Sequence, residues 1–245
     1  MMKNRLLLLI KGELQRLHKY NFTSISVIVA IIWGAVLYFL DNEMLGSVLP
    51  FVLMLDATMM AVMYVGAVMY FEKNESTIST LLVTPISNSE LILSKVISYT
   101  LHNLLSAAML IIAFVLIKDI QINYLLIFVG IVLSTGFFTT AGIVLSYFQK
   151  DFTGMLVQIM ILSFALFIPT ALFIFGVLKG DVWEYILMAN PIQAAQEIIG
   201  GGFKGYDYDF KYYFSLSYLL IGGILVYRYI ALPGFQKYAV KQSGV

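Results

Sequence analysis

Asp56 is the acidic residue that the sequence places deepest inside a long apolar run. It lies about nine residues, or roughly 13 Å along a helix, from the outer end of that run. A charge at such depth in a bilayer is costly unless it is protonated, paired or hydrated, so an acid there marks a candidate functional site. Two interpretations stay open. Asp56 lines an export path, or it is a structural acid that hydrogen-bonds to a neighbour such as Thr58 or to a second copy of the chain.

Other side chains extend this candidate site. His102 and Asn103 lie about a dozen residues into the next apolar run, where polar pairs commonly hydrogen-bond between helices. Met59 and Met63 are flexible, so they could line an adaptable apolar site, although packing is their simpler role. The candidate translocation path therefore comprises Asp56, Met59, Met63, His102 and Asn103.

The sequence lacks the motifs of common enzyme and metal sites. It contains neither the phosphate-binding pattern G-x-x-x-x-G-K-[ST] nor the nucleophile pattern G-x-S-x-G. Its two histidines, His18 and His102, are far apart, and with no cysteine there is no thiolate metal site. We therefore expect no catalytic residue, no metal site and no cofactor bound by this chain.

A charged amphipathic segment, residues 71–90, separates two of the apolar runs. Apolar residues at helical spacing predict a short helix that ends before Pro85, because proline disfavours helix in the residue before it. Ser87 and Glu90 have the spacing of a capping box and predict that a new helix begins there. Such a helix-break-helix elbow at a membrane exit is suited to docking a cytosolic partner.

Composition places these residues in a polytopic membrane protein. Of 245 residues, 60% are hydrophobic and only 12% are charged, and the mean hydropathy is +0.89. The net charge of +1 argues against a nucleic-acid partner. Because the spans use most of the length, we expect one all-α domain, 1–245, with no room for a separate soluble enzyme domain, so any catalytic domain would lie on another chain.

The pattern of apolar and charged residues predicts six spans and two further helical elements. Residues 3–20 form a basic amphipathic helix at the membrane interface, and residues 182–201 form helices outside the spans, either as a cap or as a re-entrant hairpin. Most Lys and Arg residues lie on one side, which predicts that both termini are cytoplasmic. The predicted spans are residues 22–40, 47–71, 91–117, 122–148, 153–177 and 212–231.

The elbow resembles the membrane subunit of type-2 ATP-binding-cassette (ABC) exporters. That family has an acidic pair, Gly-Thr-Leu, two leucines, Thr/Ser-Pro, a Ser, a Glu and a later Lys. This chain has Ser76 where glycine is usual, and Lys95 as the later lysine. The resemblance implies a coupling helix at residues 75–84, with these residues contacting an ATPase: Glu72, Glu75, Thr77, Ile78, Leu81, Leu82, Thr84 and Pro85.

The resemblance also implies a function. The chain would be the permease of a prokaryotic cell-membrane exporter, paired with a second permease copy or a paralogue. Separate nucleotide-binding subunits would carry ATP and Mg²⁺, and the substrate would be amphipathic, drug-like or lipid-like. Two alternatives remain: an ion-coupled secondary transporter that uses Asp56, and a membrane immunity or scaffold protein without transport activity.

Overall fold

The computed structural model of the chain describes residues 2–82, 84–118 and 121–242. Within these ranges the fold is helical and contains no strand, only an isolated antiparallel bridge between Ile122 and Phe203. This confirms the predicted all-α class. The helices are α1 (Met2–Lys19), α2 (Phe22–Tyr38), α3 (Asn42–Leu55), α4 (Ala61–Asn74), α5 (Thr77–Leu82), α6 (Asn88–Ile117), α7 (Tyr124–Ser146), α8 (Phe152–Ile174), α9 (Asp181–Leu187), α10 (Pro191–Gly200), α11 (Phe210–Val226) and α12 (Leu232–Gln242).

The helices of membrane-spanning length agree with a multi-pass protein. Among the described residues, 5 helices are long and apolar enough to cross a membrane, or up to 6 if α1 and α2, which bend by 63° between them, count as one span. The bend follows Asn21, whose φ of 62° is left-handed, a conformation that asparagine tolerates better than most residues. The five long helices are Met44–Asn74, Asn88–Leu116, Tyr124–Ser146, Phe152–Ile174 and Phe210–Ala239.

The span that carries Asp56 contains a wide turn that the sequence did not predict. Residues Asp56–Met60 form a π-helical turn between α3 and α4, so that one continuous helix crosses from Met44 to Asn74. A helix of 31 residues is about 46 Å long, more than the roughly 30 Å of a hydrocarbon core. The helix is therefore longer than the core requires, and the chain passes from the end of α4 directly into α5.

The core forms where α4, α6 and α7 meet. Gly142 of α7 allows close contact, because a Cβ there would lie 2.5 Å from Cγ1 of Val65 on α4. At the other end of α7, a Cβ on Gly130 would lie 3.0 Å from the carbonyl oxygen of Ile198 on α10. The small residues of α7 therefore serve helix packing, which is their usual role in membrane proteins.

The segment between α8 and α11 folds back into the bundle rather than lying only on its surface. Asn190 caps α10 by accepting a hydrogen bond from the amide of Ile192 at 3.0 Å, and its own amide donates to the carbonyl of Leu166 on α8 at 2.6 Å. α10 also packs against α3, α7 and α11. The end of the bundle that carries α10 is thus opposite the end that carries α5.

The last helix continues beyond the predicted span 212–231. A second π-helical turn, Tyr227–Ala231, joins α11 to α12. Pro233 does not stop this helix, because the adjoining π-helical turn adjusts the backbone hydrogen bonds around the N–H that proline lacks. The hydroxyl of Tyr147 donates to the carbonyl of Ala231 at 2.9 Å, and α12 packs against α5 and α6.

Candidate functional site

The elbow consists of α5 and the two turns that join it to α4 and α6. Ser76 lies between α4 and α5 with a left-handed φ of 55°, a conformation that favours glycine. At the second turn, the amide of Ser87 donates to the Glu90 carboxylate at 2.8 Å, and the amide of Glu90 donates to the Ser87 hydroxyl at 3.2 Å. The predicted capping box is therefore confirmed, and it fixes where α6 begins.

The residues predicted to contact an ATPase have different environments at the elbow. Glu75 and Pro85 are exposed, as is Thr80, which the sequence analysis did not single out. Thr77, Leu81 and Thr84 are half-buried, and Leu81 packs against the hydrophobic core. Val83 and the side chains of Ile78 and Leu82 lie outside the part of the chain that the structure describes.

Glu72 is buried beneath the elbow instead of lying on its surface. Its side chain is only 1% exposed, and it accepts hydrogen bonds from Lys95 on α6 at 2.6 and 2.7 Å. Arg16 of α1 also donates to Glu72, and donates to Glu13 at 2.7 Å. Lys95 completes the group by donating to Glu13 at 2.9 Å.

These four residues, Glu13, Arg16, Glu72 and Lys95, form the elbow charge cluster. Its two acids and two bases balance, and each acid contacts both bases, so the charges are paired as burial requires, while Oε2 of Glu13 has no hydrogen-bond partner among the described residues. The cluster joins α1, α4 and α6 directly beside α5. The sequence analysis missed this arrangement because its members are up to 82 positions apart.

Two further contacts hold the elbow at its solvent-exposed side. Arg5 of α1 donates to the carbonyl of Pro85 at 2.8 Å. Lys19 lies 3.1 Å from the Glu75 carboxylate in an exposed ion pair, which contributes little by itself. Together with α12, which packs against α5, these contacts connect the elbow to the surrounding helices.

Asp56 opens onto an apolar cavity of about 220 Å³ near the middle of its span. The residue is 6% exposed, and its Oδ2 atom has no hydrogen-bond partner among the described residues. An acid at the centre of a bilayer costs about 3 kcal/mol on insertion scales, so such a group is rarely left without a role. The cavity walls include Val29, Trp33, Met59, Met60, Met63 and Leu110.

The structure brings together only part of the predicted translocation path. Asp56, Met59 and Met63 share this cavity, and Asn103 supports it by donating from Nδ2 to the Asp56 carbonyl at 3.0 Å. His102 lies elsewhere: its Nε2 is 3.0 Å from the Ser26 hydroxyl, and its ring packs edge-on against Tyr64. His102 therefore connects α2, α4 and α6 and does not line the cavity.

A second cavity, of about 390 Å³, lies at the α10 end of the bundle. It is more polar, with Gln193, Gln196 and Glu197 among its walls. Tyr206 donates to the Glu197 carboxylate, and burial, followed by this neighbouring charge, raises the pKa of Tyr206. Across the described ranges, no three His, Cys, Asp or Glu residues converge in a way that could hold a metal ion.

The membrane-length helices, with buried polar groups inside them, define a multi-pass membrane protein. Its family follows from comparison with known proteins. The chain belongs to the fluoroquinolones export permease protein family, whose profile matches residues 4–243. Proteins named fluoroquinolones export permease, from two strains of Mycobacterium tuberculosis, are each 24% identical over 249 residues, covering 98% of this chain and 99% of the relative. These findings agree with the resemblance to the membrane subunits of type-2 ABC exporters.

Proposed function

We propose that this permease is driven by ATP hydrolysed on a separate nucleotide-binding subunit that docks on the elbow. Two permease copies, or this chain and a paralogue, would form the path, and each would bind one ATPase that carries ATP and Mg²⁺. The elbow would face the cytoplasm of a prokaryotic cell, together with both termini. Because the relatives are named for fluoroquinolone export, the proposed cargo is an amphipathic, drug-like molecule.

The observation that carries this proposal is the short, capped connection of α5 to two spans, α4 and α6. A partner can move membrane helices only if its contact has different free energies in the two states and transmits force. α5 leads directly from α4, the capping box fixes the start of α6, and the elbow charge cluster holds α1, α4 and α6 together. A push on the exposed side of α5 would therefore tilt several helices at once.

A substitution on the exposed side of α5 tests the docking step. Thr80→Arg adds a long cation to the surface without disturbing the core, because Thr80 is exposed. We expect it to lower the copurification of the nucleotide-binding subunit from native membranes by about tenfold or more, the effect of losing roughly 1.4 kcal/mol of binding. The matched control is Asp207→Arg, an exposed position at the α10 end, which should leave copurification unchanged.

Membrane insertion of both variants is measured alongside, so that loss of docking is not confused with loss of protein. If Thr80→Arg retained full copurification and full stimulation of ATP hydrolysis, the elbow would not be the docking surface.

The unpaired carboxyl of Asp56 supports a second candidate, an ion-coupled carrier. This mechanism requires the purified chain, alone in vesicles, to move its cargo uphill when a proton or sodium gradient is applied. An ABC permease requires the ATPase instead. Transport by the chain alone would favour the carrier, and transport that appears only with the ATPase and ATP would favour the exporter.

A further inference from the structure

We propose that the cavity beside Asp56 binds the positively charged amine end of an amphipathic molecule, with the Asp56 carboxylate as counter-ion. This inference rests on the proposed export function and deepens it by assigning a charge to the cargo and a site to that charge.

The first argument is the unmatched charge of the cavity. Oδ2 of Asp56 is buried and has no hydrogen-bond partner among the described residues. No described lysine or arginine lies within ion-pair distance of it, and the half-buried Arg16 and the buried Lys95 are already engaged in the elbow charge cluster. A protonated amine supplies both the opposite charge and a hydrogen-bond donor for Oδ2.

The second argument is the shape and lining of the cavity. Trp33, Met59 and Met60 give it an apolar wall, and methionine adapts to ligands of different outline. The face of an indole also attracts cations, so Trp33 would favour the same charged group as Asp56. A cationic amphiphile therefore matches this site better than an anion or a neutral sugar.

The third argument is size. The cavity of about 220 Å³ is smaller than the roughly 300–1,000 Å³ of pockets that enclose drug-sized ligands. It would hold an amine-bearing ring or short chain and leave the remainder outside. Met63, which lines the cavity, is 40% exposed, so the cavity reaches the surface of the bundle where that remainder could lie.

The fourth argument is that the backbone around Asp56 is held in place. Asp56 begins the π-helical turn, and Asn103 on α6 donates to its carbonyl at 3.0 Å. Turns of this kind occur frequently at functional sites because they widen the helix locally. Here the turn and the hydrogen bond from Asn103 fix the backbone of Asp56, and with it the place of its carboxyl group at the cavity. Asn103 is therefore a positioning residue.

Tryptophan fluorescence can test the proposal on the purified chain in lipid nanodiscs, without any ATPase. The sequence has two tryptophans, Trp33 and Trp183, so Trp183→Phe leaves only the reporter that lines the cavity. The probes are para-bromobenzylamine, which is protonated at neutral pH, and para-bromobenzyl alcohol, which has nearly the same shape and no charge. Bromine near Trp33 quenches its emission.

We expect saturable quenching by the amine, with an affinity about tenfold or more above that of the alcohol, since a hydrogen bond to a charged group is worth at least that factor. Asp56→Asn should abolish the preference for the amine and leave alcohol binding unchanged, whereas Asp56→Glu should retain the preference. Asp181→Asn, at an exposed acid of α9, is the matched control and should behave like the parent.

Equal affinity for the two probes in the parent protein would overturn the proposal, and this comparison does not depend on whether Asp56→Asn folds. An undiminished preference for the amine in folded Asp56→Asn would overturn it too. Because the assay contains neither ATPase nor transport, its outcome is independent of the copurification test of the exporter function.

Discussion

At the scale of single residues, Ser76 is the position where the sequence departs most clearly from the ABC exporter pattern. Its left-handed φ of 55° explains why glycine is usual there, because a Cβ is disfavoured in this region. We expect Ser76→Gly to stabilise the turn by up to about 1 kcal/mol and Ser76→Val to destabilise it by about 1–3 kcal/mol. Thermal unfolding of the detergent-solubilised chain measures both, and a valine variant as stable as the parent would contradict the assigned conformation.

Lys95 is the residue on which the elbow charge cluster most depends. Lys95→Met would leave Glu13 and Glu72 sharing only Arg16, and breaking a buried pair typically costs about 3–5 kcal/mol. We expect a large loss of thermal stability, partly restored by adding Glu72→Gln, which removes one of the stranded charges. Lys19→Met is the matched control, because the exposed pair with Glu75 is screened by solvent and should contribute little to stability.

The sequence predicted some of these residues and not others, for a physical reason. Ser87, Glu90 and Asn190 could be assigned as caps because a cap depends on neighbours two or three positions away. The elbow charge cluster could not be assigned, because its members come from three helices that meet only in the folded bundle. For the same reason, the sequence could not predict that His102 lies apart from the Asp56 cavity, because this depends on which neighbouring helix each helix face packs against.

At the scale of elements, the contact between α4 and α7 is set by one glycine. We expect Gly142→Ala to destabilise the chain by about 1–3 kcal/mol, because its Cβ would overlap Val65. Gly136→Ala on the same helix is the control, since a Cβ there meets nothing within 4 Å and alanine favours helix by up to about 1 kcal/mol. If the two variants unfolded at the same temperature, the close packing of α4 on α7 would be wrong.

Hydropathy could predict the helical class and most of the spans, because a run of about 20 apolar residues has few other folds open to it. It could not predict how those helices are interrupted or joined. The π-helical turns at Asp56–Met60 and Tyr227–Ala231 carry no composition signal, and the second makes α12 a continuation of α11. Only the packing of α10 among four neighbours reveals that it is inserted into the bundle.

At the scale of the whole molecule, the membrane-length helices differ sharply in the share of their residues that is buried inside the bundle. In an apolar stretch of 18 residues within Met44–Asn74, 72% of the residues are buried inside the bundle. In the corresponding stretches of Phe152–Ile174 and Phe210–Ala239, only 11% and 17% are buried. Helices with so much exposed apolar surface face either lipid or another membrane subunit. The proposed second permease therefore has surface available to it on α8 and α11.

The orientation of the whole chain can be tested directly because the sequence contains no cysteine. Thr80→Cys and Asp207→Cys introduce single thiols at exposed positions of the elbow and of the opposite end. With a membrane-impermeant maleimide, we expect intact spheroplasts to label only position 207 and inside-out vesicles to label only position 80. Labelling of both positions from one side would exclude the proposed topology.

The elbow charge cluster also constrains the order in which the protein is made. Glu13 and Arg16 leave the ribosome first, Glu72 follows much later, and Lys95 comes last. Until α6 has entered the bilayer, a nascent chain holds two acids and one base at this place, so the first helices cannot settle into their final arrangement. Completion of the charge pairing beneath the elbow therefore depends on the synthesis of α6, which supplies Lys95.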